Sequence, residues 1–171
     1  MIRIAVSACL LGQPVRYDGT DRNHPAAAAL ARRFELVPIC PEVEIGLGVP
    51  RPPIRLLSGG QVVDTSTNGD LTARLVALAG GRAVELSQLR VSGVVLKHKS
   101  PSCGLTGVRV FDTIDAEAPR SSDGVGVFSR ALLSLLPELP RAQECDLDAP
   151  DAIDAFALRV ERFHRAAGYP P

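Results

Sequence analysis

A mostly parallel α/β sheet with helices on both faces, a single Rossmann-like three-layer domain, is the architecture this sequence predicts. Three observations predict it. Short apolar runs rich in β-branched residues recur at residues 2–7, 35–39 and 91–97, and such runs read as buried strands. Between and after them lie longer segments whose apolar residues keep helical spacing, and alternation of this kind implies a parallel sheet covered on both faces. A chain of 171 residues has room for one good core but hardly for two. The domain is therefore read as 1–171, with 139–171 as a helical C-terminal segment.

The elements follow in order. Residues 2–7 form the first strand. After a polar loop, Asn23 is the expected N-cap, and Pro25 suits the first turn of a helix running to about residue 33. Residues 35–39 are the second strand. Residues 46–53 are dense in Gly and Pro and must be loop. Residues 54–57 and 61–63 flank Ser58-Gly59-Gly60, a small hairpin. Across 70–89, Leu71, Leu75, Leu78, Ala79, Leu86 and Leu89 recur near helical spacing. Gly80-Gly81 weakens that helix by about 1 kcal/mol per glycine relative to alanine. Residues 91–97 are the third strand and 107–111 a fourth, shorter one. Residues 112–124 are polar, hold Pro119, Ser121 and Ser122, and read as a mobile loop. Residues 125–136 and 151–166 are amphipathic helices, the first stopped by Pro137.

Composition narrows the functions. Hydrophobic residues at 46% and charged residues at 22% suit a soluble globular protein. Nineteen basic residues balance nineteen acidic ones, so no global field draws the chain to a membrane surface or a long nucleic acid. A mononucleotide phosphate stays compatible with that balance. No apolar run approaches membrane-spanning length, and the N-terminus lacks the pattern of a signal peptide. The expectation is a cytoplasmic protein, monomer or homodimer, acting on a small molecule. In a reducing compartment four cysteines are buried thiols, metal ligands or nucleophiles rather than a disulfide framework.

The cysteines fall in a pattern. Cys9 lies just past the first strand, Cys40 directly after the second, and Cys103 one short turn after the third. In an open α/β sheet the C-terminal strand ends share one edge, where ligands bind. Three cysteines distant in sequence thus meet at one place, a natural site for a soft metal or an iron–sulfur cluster. The competing reading of any single cysteine is a small apolar filler, and it is kept for Cys145. The loops around the other three are small and polar, which favours a shared site. Spacing does not name the metal: three cysteines with one open position also suit zinc. His24, His98 and His164 have no carboxylate or cysteine partner at metal-ligand spacing, and His98 alone stands near a cysteine loop.

The motifs at these loops carry a resemblance. Ser7-Ala8-Cys9-Leu10-Leu11-Gly12 with Val15-Arg16-Tyr17-Asp18-Gly19, then Pro38-Ile39-Cys40-Pro41-Glu42-Val43 with Gly46-Leu47-Gly48 and Pro50-Arg51, then Lys99-Ser100-Pro101-Ser102-Cys103-Gly104 resemble a bacterial family whose characterised members are thiouracil desulfidases. The match spans residues 1 to about 110, and the tail beyond Leu139 matches weakly. The resemblance implies a [4Fe–4S] cluster held by Cys9, Cys40 and Cys103, with the fourth iron open to the sulfur of a thiolated pyrimidine, base or nucleotide. Sulfur is then replaced by oxygen from water. It also implies a catalytic carboxylate within Cys40-Pro41-Glu42-Val43-Glu44 and a catalytic serine in the third loop. Glu44 and Ser100 are the first choices, Glu42 and Ser102 the second.

These residue types suit the chemistry on their own terms. An open iron polarises C=S and accepts departing hydrosulfide. A carboxylate takes a proton from water, and a serine hydroxyl donates to developing charge. Arg16 and Arg51 are candidates for gripping a phosphate or a pyrimidine carbonyl, because Arg presents a planar fork of donors. Solvated loop glutamates and turn-forming serines around Pro101 are the bland alternatives. Two other functions remain: a zinc- or cluster-binding module without catalysis, and a thiol enzyme, which needs a base beside its nucleophile.

Overall fold

The computed structural model describes residues 1–170. Its main sheet has four parallel strands in the order β2-β1-β5-β8, with β1 at Arg3–Ser7, β2 at Glu35–Ile39, β5 at Val91–Leu96 and β8 at Arg141–Gln143. Side chains alternate across its two faces. Ile4, Val6 and Val95 pack with Leu30, Phe156 and Val160, which belong to α1 (Pro25–Ala31) and α5 (Pro150–Ala166). Ala5, Val94 and Leu96 pack with Leu75, Ala79, Phe128 and Leu132, which belong to α3 (Thr72–Gln88) and α4 (Val127–Leu135). This is the helix-covered, mostly parallel α/β architecture that the alternating pattern predicts. All six residues of β5 are buried, as expected of a central strand covered on both sides.

Four features differ from the sequence reading. The 107–111 segment does not join the main sheet but pairs with the 54–63 hairpin, which forms as expected. β3 (Ile54–Leu57), β4 (Val62–Asp64), β6 (Val108–Phe111) and β7 (Ser121–Gly124) form a second, mixed sheet in the order β4-β3-β6-β7. Its Ile54, Leu56, Val62 and Val108 join the core on the α3/α4 side. The expected loop at 112–124 ends in β7, whose Ser-Ser-Asp-Gly composition hides an edge strand with no buried residue. β8 is three residues long, too short to show a period. The N-cap of α1 is His24 rather than Asn23, its Nδ1 accepting the Ala26 N–H at 3.3 Å. An imidazole nitrogen does there what an Asn oxygen would do. The glycine pair does not interrupt α3, because Leu75, Ala79, Ala83 and Leu86 bury the face that holds it.

Candidate active site

β2, β1 and β5 are neighbours in the sheet, and a cysteine follows each at its C-terminal end. Cys9 lies in a 3-10 turn, Ala8–Leu11, that Gly12 closes at φ +79°. Cys40 is the N-cap of a one-turn helix α2, Pro41–Glu44. Cys103 sits in the loop after β5. All three are free thiols, Cys9 and Cys103 buried and Cys40 half-buried. They line one cavity of about 320 Å³. Cys145 is exposed, on the 3-10 turn Glu144–Leu147, and is not part of the cavity wall.

The loop carrying Cys103 is gripped by α4. The first N–H groups of a helix lack partners within it, and here loop carbonyls take several of them. Val127 N–H donates to Pro101 O at 3.1 Å and Ser129 N–H to Ser102 O at 3.2 Å, while the N-cap Gly126 N–H donates to Gly104 O at 2.7 Å. Gly126 makes this approach geometrically feasible, because a Cβ there would stand 2.5 Å from Ser102 O and 2.8 Å from Cys103 N. Those are backbone atoms that cannot swing away. Gly126→Ala is expected to cost about 1–3 kcal/mol by overpacking and to push the Cys103 loop outward. Thermal unfolding checks the first effect, and faster alkylation of the Cys103 thiol checks the second.

The carboxylates separate clearly. Glu42 lines the cavity. Its Oε2 receives Arg51 through Nε at 2.9 Å and Nη2 at 2.7 Å, and its Oε1 accepts the Ser102 hydroxyl at 2.8 Å. Ser102 Oγ lies 3.0 Å from Ser100 Oγ. Because Ser102 donates to Glu42, Ser100 donates to Ser102, so the hydroxyls form a wire ending on Glu42. Ser100 also forms the turn, its Oγ accepting the Cys103 N–H at 3.1 Å. Glu44, the first choice from sequence, faces elsewhere. Its Oε1 accepts the Cys40 N–H at 2.8 Å, and its Oε2 accepts Arg82 Nε at 2.7 Å. It is not part of the cavity wall.

The two arginines also separate. Arg51, with a side chain only 6% exposed, spends its fork on Glu42 and on Gly48 O. It also lines the cavity, so fixing Glu42 is a task added to the substrate contact expected from sequence. Arg16 lines the cavity and is tied to Asp18 at 3.2 Å and Thr20 at 2.8 Å. His98, Lys99 of the third motif, and two cations outside every motif, Arg22 and Lys97, also line it. Lys97 had one visible cue: a charge directly after a largely apolar strand sits at the edge where ligands bind.

Burial dominates the thiol chemistry. The Cys9 thiol is pushed up to about 11, first by burial and then by the Cys40 thiol, with Lys97 pulling the other way. Burial also raises Cys40. It raises Cys103 further, against the Ser102 hydroxyl, with Glu42 and the other two thiols adding to the rise. Cys9 and Cys103 thus each feel the Cys40 thiol. Among the described residues, no three His, Cys, Asp or Glu side chains form a group that would hold a single metal ion.

The model of the 2-thiouracil desulfurase family matches residues 4–144. The chain belongs to this family. Among its relatives, the uncharacterized protein YbbK of Bacillus subtilis is 33% identical over 114 residues, covering 59% of this chain and 72% of that one. A solved structure, the [4Fe-4S]-dependent thiouracil desulfidase TudS, is 32% identical and superposes with a TM-score of 0.70. That similarity covers 92% of this chain and 99% of TudS. The family match ends at Glu144, so it takes in all three cavity cysteines, Glu42 and the serine pair.

Proposed function

We propose that this protein is an iron–sulfur-dependent desulfidase that replaces sulfur by oxygen in a thiolated pyrimidine, without net oxidation or reduction. The observation that carries the reading is the pairing of three free cysteines on one cavity wall with a carboxylate held in place by Arg51 and Ser102. A non-catalytic module gains nothing from a carboxylate aimed at its metal. The donor set fits a [4Fe–4S] cluster: three soft, free thiols on one cavity wall, with room beyond them. Cys9, Cys40 and Cys103 would hold it. When bound, it supplies a soft Lewis-acidic iron for the substrate sulfur.

The chain's own residues do the rest. Glu42 takes a proton from the attacking water, and Arg51 keeps that carboxylate oriented. The Ser102 hydroxyl, backed by Ser100, donates to Glu42 and holds its second oxygen in place. The balance is C=S plus water giving C=O, hydrosulfide and a proton. Arg16, with Arg22 and Lys99 on the same wall, offers positive charge for a substrate phosphate, which supports a nucleotide as well as a free base. A cavity of about 320 Å³ admits a single nucleotide rather than a folded RNA, and among the described residues no helix is long and apolar enough to cross a membrane.

The test is anaerobic reconstitution with iron and sulfide, followed by hydrosulfide release from 2-thio and 4-thio pyrimidines as bases and nucleotides. Release from at least one is expected, and none from a fully loaded preparation would remove the reading. Loading itself has a pH signature. Below its raised pKa each thiol is protonated, and binding must expel those protons, so cluster retention is expected to strengthen as pH rises from about 6 to 9. Iron retained against a chelator at each pH measures it.

A further inference from the structure

Lys97 directly follows β5, and its backbone N–H is fixed by Ser7 Oγ at 3.0 Å. Its side chain reaches the cavity wall and is only 25% exposed. The ammonium pairs with Glu144 and donates to His98 O at 3.1 Å. Glu144 is itself buried, and its other oxygen accepts the His98 N–H at 2.6 Å. Glu144 is not part of the cavity wall, so it stands behind the lysine. An ammonium has three donors. Glu144 and His98 take two, which leaves one for what the cavity holds.

We propose that Lys97, posted by Glu144, is a further catalytic residue that stabilises the hydrosulfide anion released when the carbon–sulfur bond breaks. The assignment rests on the desulfidase reading above. In that reaction the carbon–oxygen bond forms from water, one proton goes to Glu42, and sulfur leaves with the bonding pair and the other proton. An anion thereby appears beside three thiolates in a partly buried cavity, where charges interact more strongly than in water. Of the other cations on the wall, Arg51 is paired with Glu42, while Arg16, Arg22 and Lys99 are the charges assigned above to a substrate phosphate. At the Cys9 thiol the pull of Lys97 outweighs the push of Glu144. Glu144 is a positioning residue in this scheme.

Sodium sulfide titrated into the anaerobically reconstituted protein, followed by the cluster's visible absorption, tests the assignment without turnover. Lys97→Met is expected to weaken sulfide binding by about tenfold or more, the scale of one charge-assisted hydrogen bond. Lys97→Arg keeps the charge and is expected to retain most of the affinity. Lys97→Met strands a buried carboxylate, which alone can unfold a protein. The double variant Lys97→Met with Glu144→Gln removes the pair together and settles that case. Weak sulfide binding by the folded double variant supports the role. Parental affinity in that variant overturns it and leaves the pair structural. Failure of the parent protein to release hydrosulfide from any thiopyrimidine counts against the desulfidase reading instead, and the sulfide affinities still decide the question of Lys97.

Discussion

Cys103→Ala is expected to abolish both cluster retention and hydrosulfide release, and Cys9→Ala and Cys40→Ala to do the same, each in a folded protein. The loss is complete because each thiol follows a different strand of the sheet and no spare thiol stands by: Cys145 is exposed and off the cavity wall. The fold survives because each change deletes a single sulfur at the sheet edge, a cost near the lower end for core truncations. Cys145→Ala should keep full iron and activity. Iron per chain, visible absorption and circular dichroism on the same preparations read all four variants. Full iron retention in any of the first three would remove that cysteine from the ligand set.

Glu42→Gln is expected to keep the cluster and the fold but to lower turnover by about 10²-fold or more, the usual scale for removing a general acid–base group. The amide preserves shape and an oxygen for Arg51, so binding should change less than turnover. Ser100→Ala breaks the outer end of the hydroxyl wire and should show a smaller loss of the same kind. Glu44→Gln is the informative control. Its amide oxygen still caps the Cys40 N–H, and the partly exposed pair with Arg82 is worth about 1 kcal/mol or less, so turnover per cluster should stay close to the parent. The opposite outcome, a silent Glu42 and a crippled Glu44, would return the base to the residue that sequence reasoning ranked first.

That reversal of rank shows where sequence reading stopped. Glu42 and Glu44 are two positions apart on one helical turn, and at about 100° per residue they point to nearly opposite sides. Which side faces the cavity depends on Arg51 and Arg82, one in a Gly/Pro-rich loop and the other on α3, and no local pattern places either. The cysteine edge was legible because it follows from strand order alone: β-branched runs name the strands, and parallel pairing puts their ends together. The second sheet was not, since β3 and β6 pair across more than fifty residues, and β7 is too polar and exposed to show strand chemistry. The C-terminal segment read as a weakly matching tail also supplies Glu144, whose bond to Lys97 exists only once β8 has joined β5. Residues that act through long-range contacts leave no periodicity behind.

The central claim is that the three-cysteine cavity exchanges sulfur for the oxygen of water. One measurement addresses it directly: anaerobic turnover of a thiopyrimidine by reconstituted protein in oxygen-labelled water with no reductant present, with product and sulfide quantified together. The account predicts labelled oxygen in the pyrimidine and an equal amount of hydrosulfide. Unlabelled product, or sulfide released only when an electron donor is added, would contradict it.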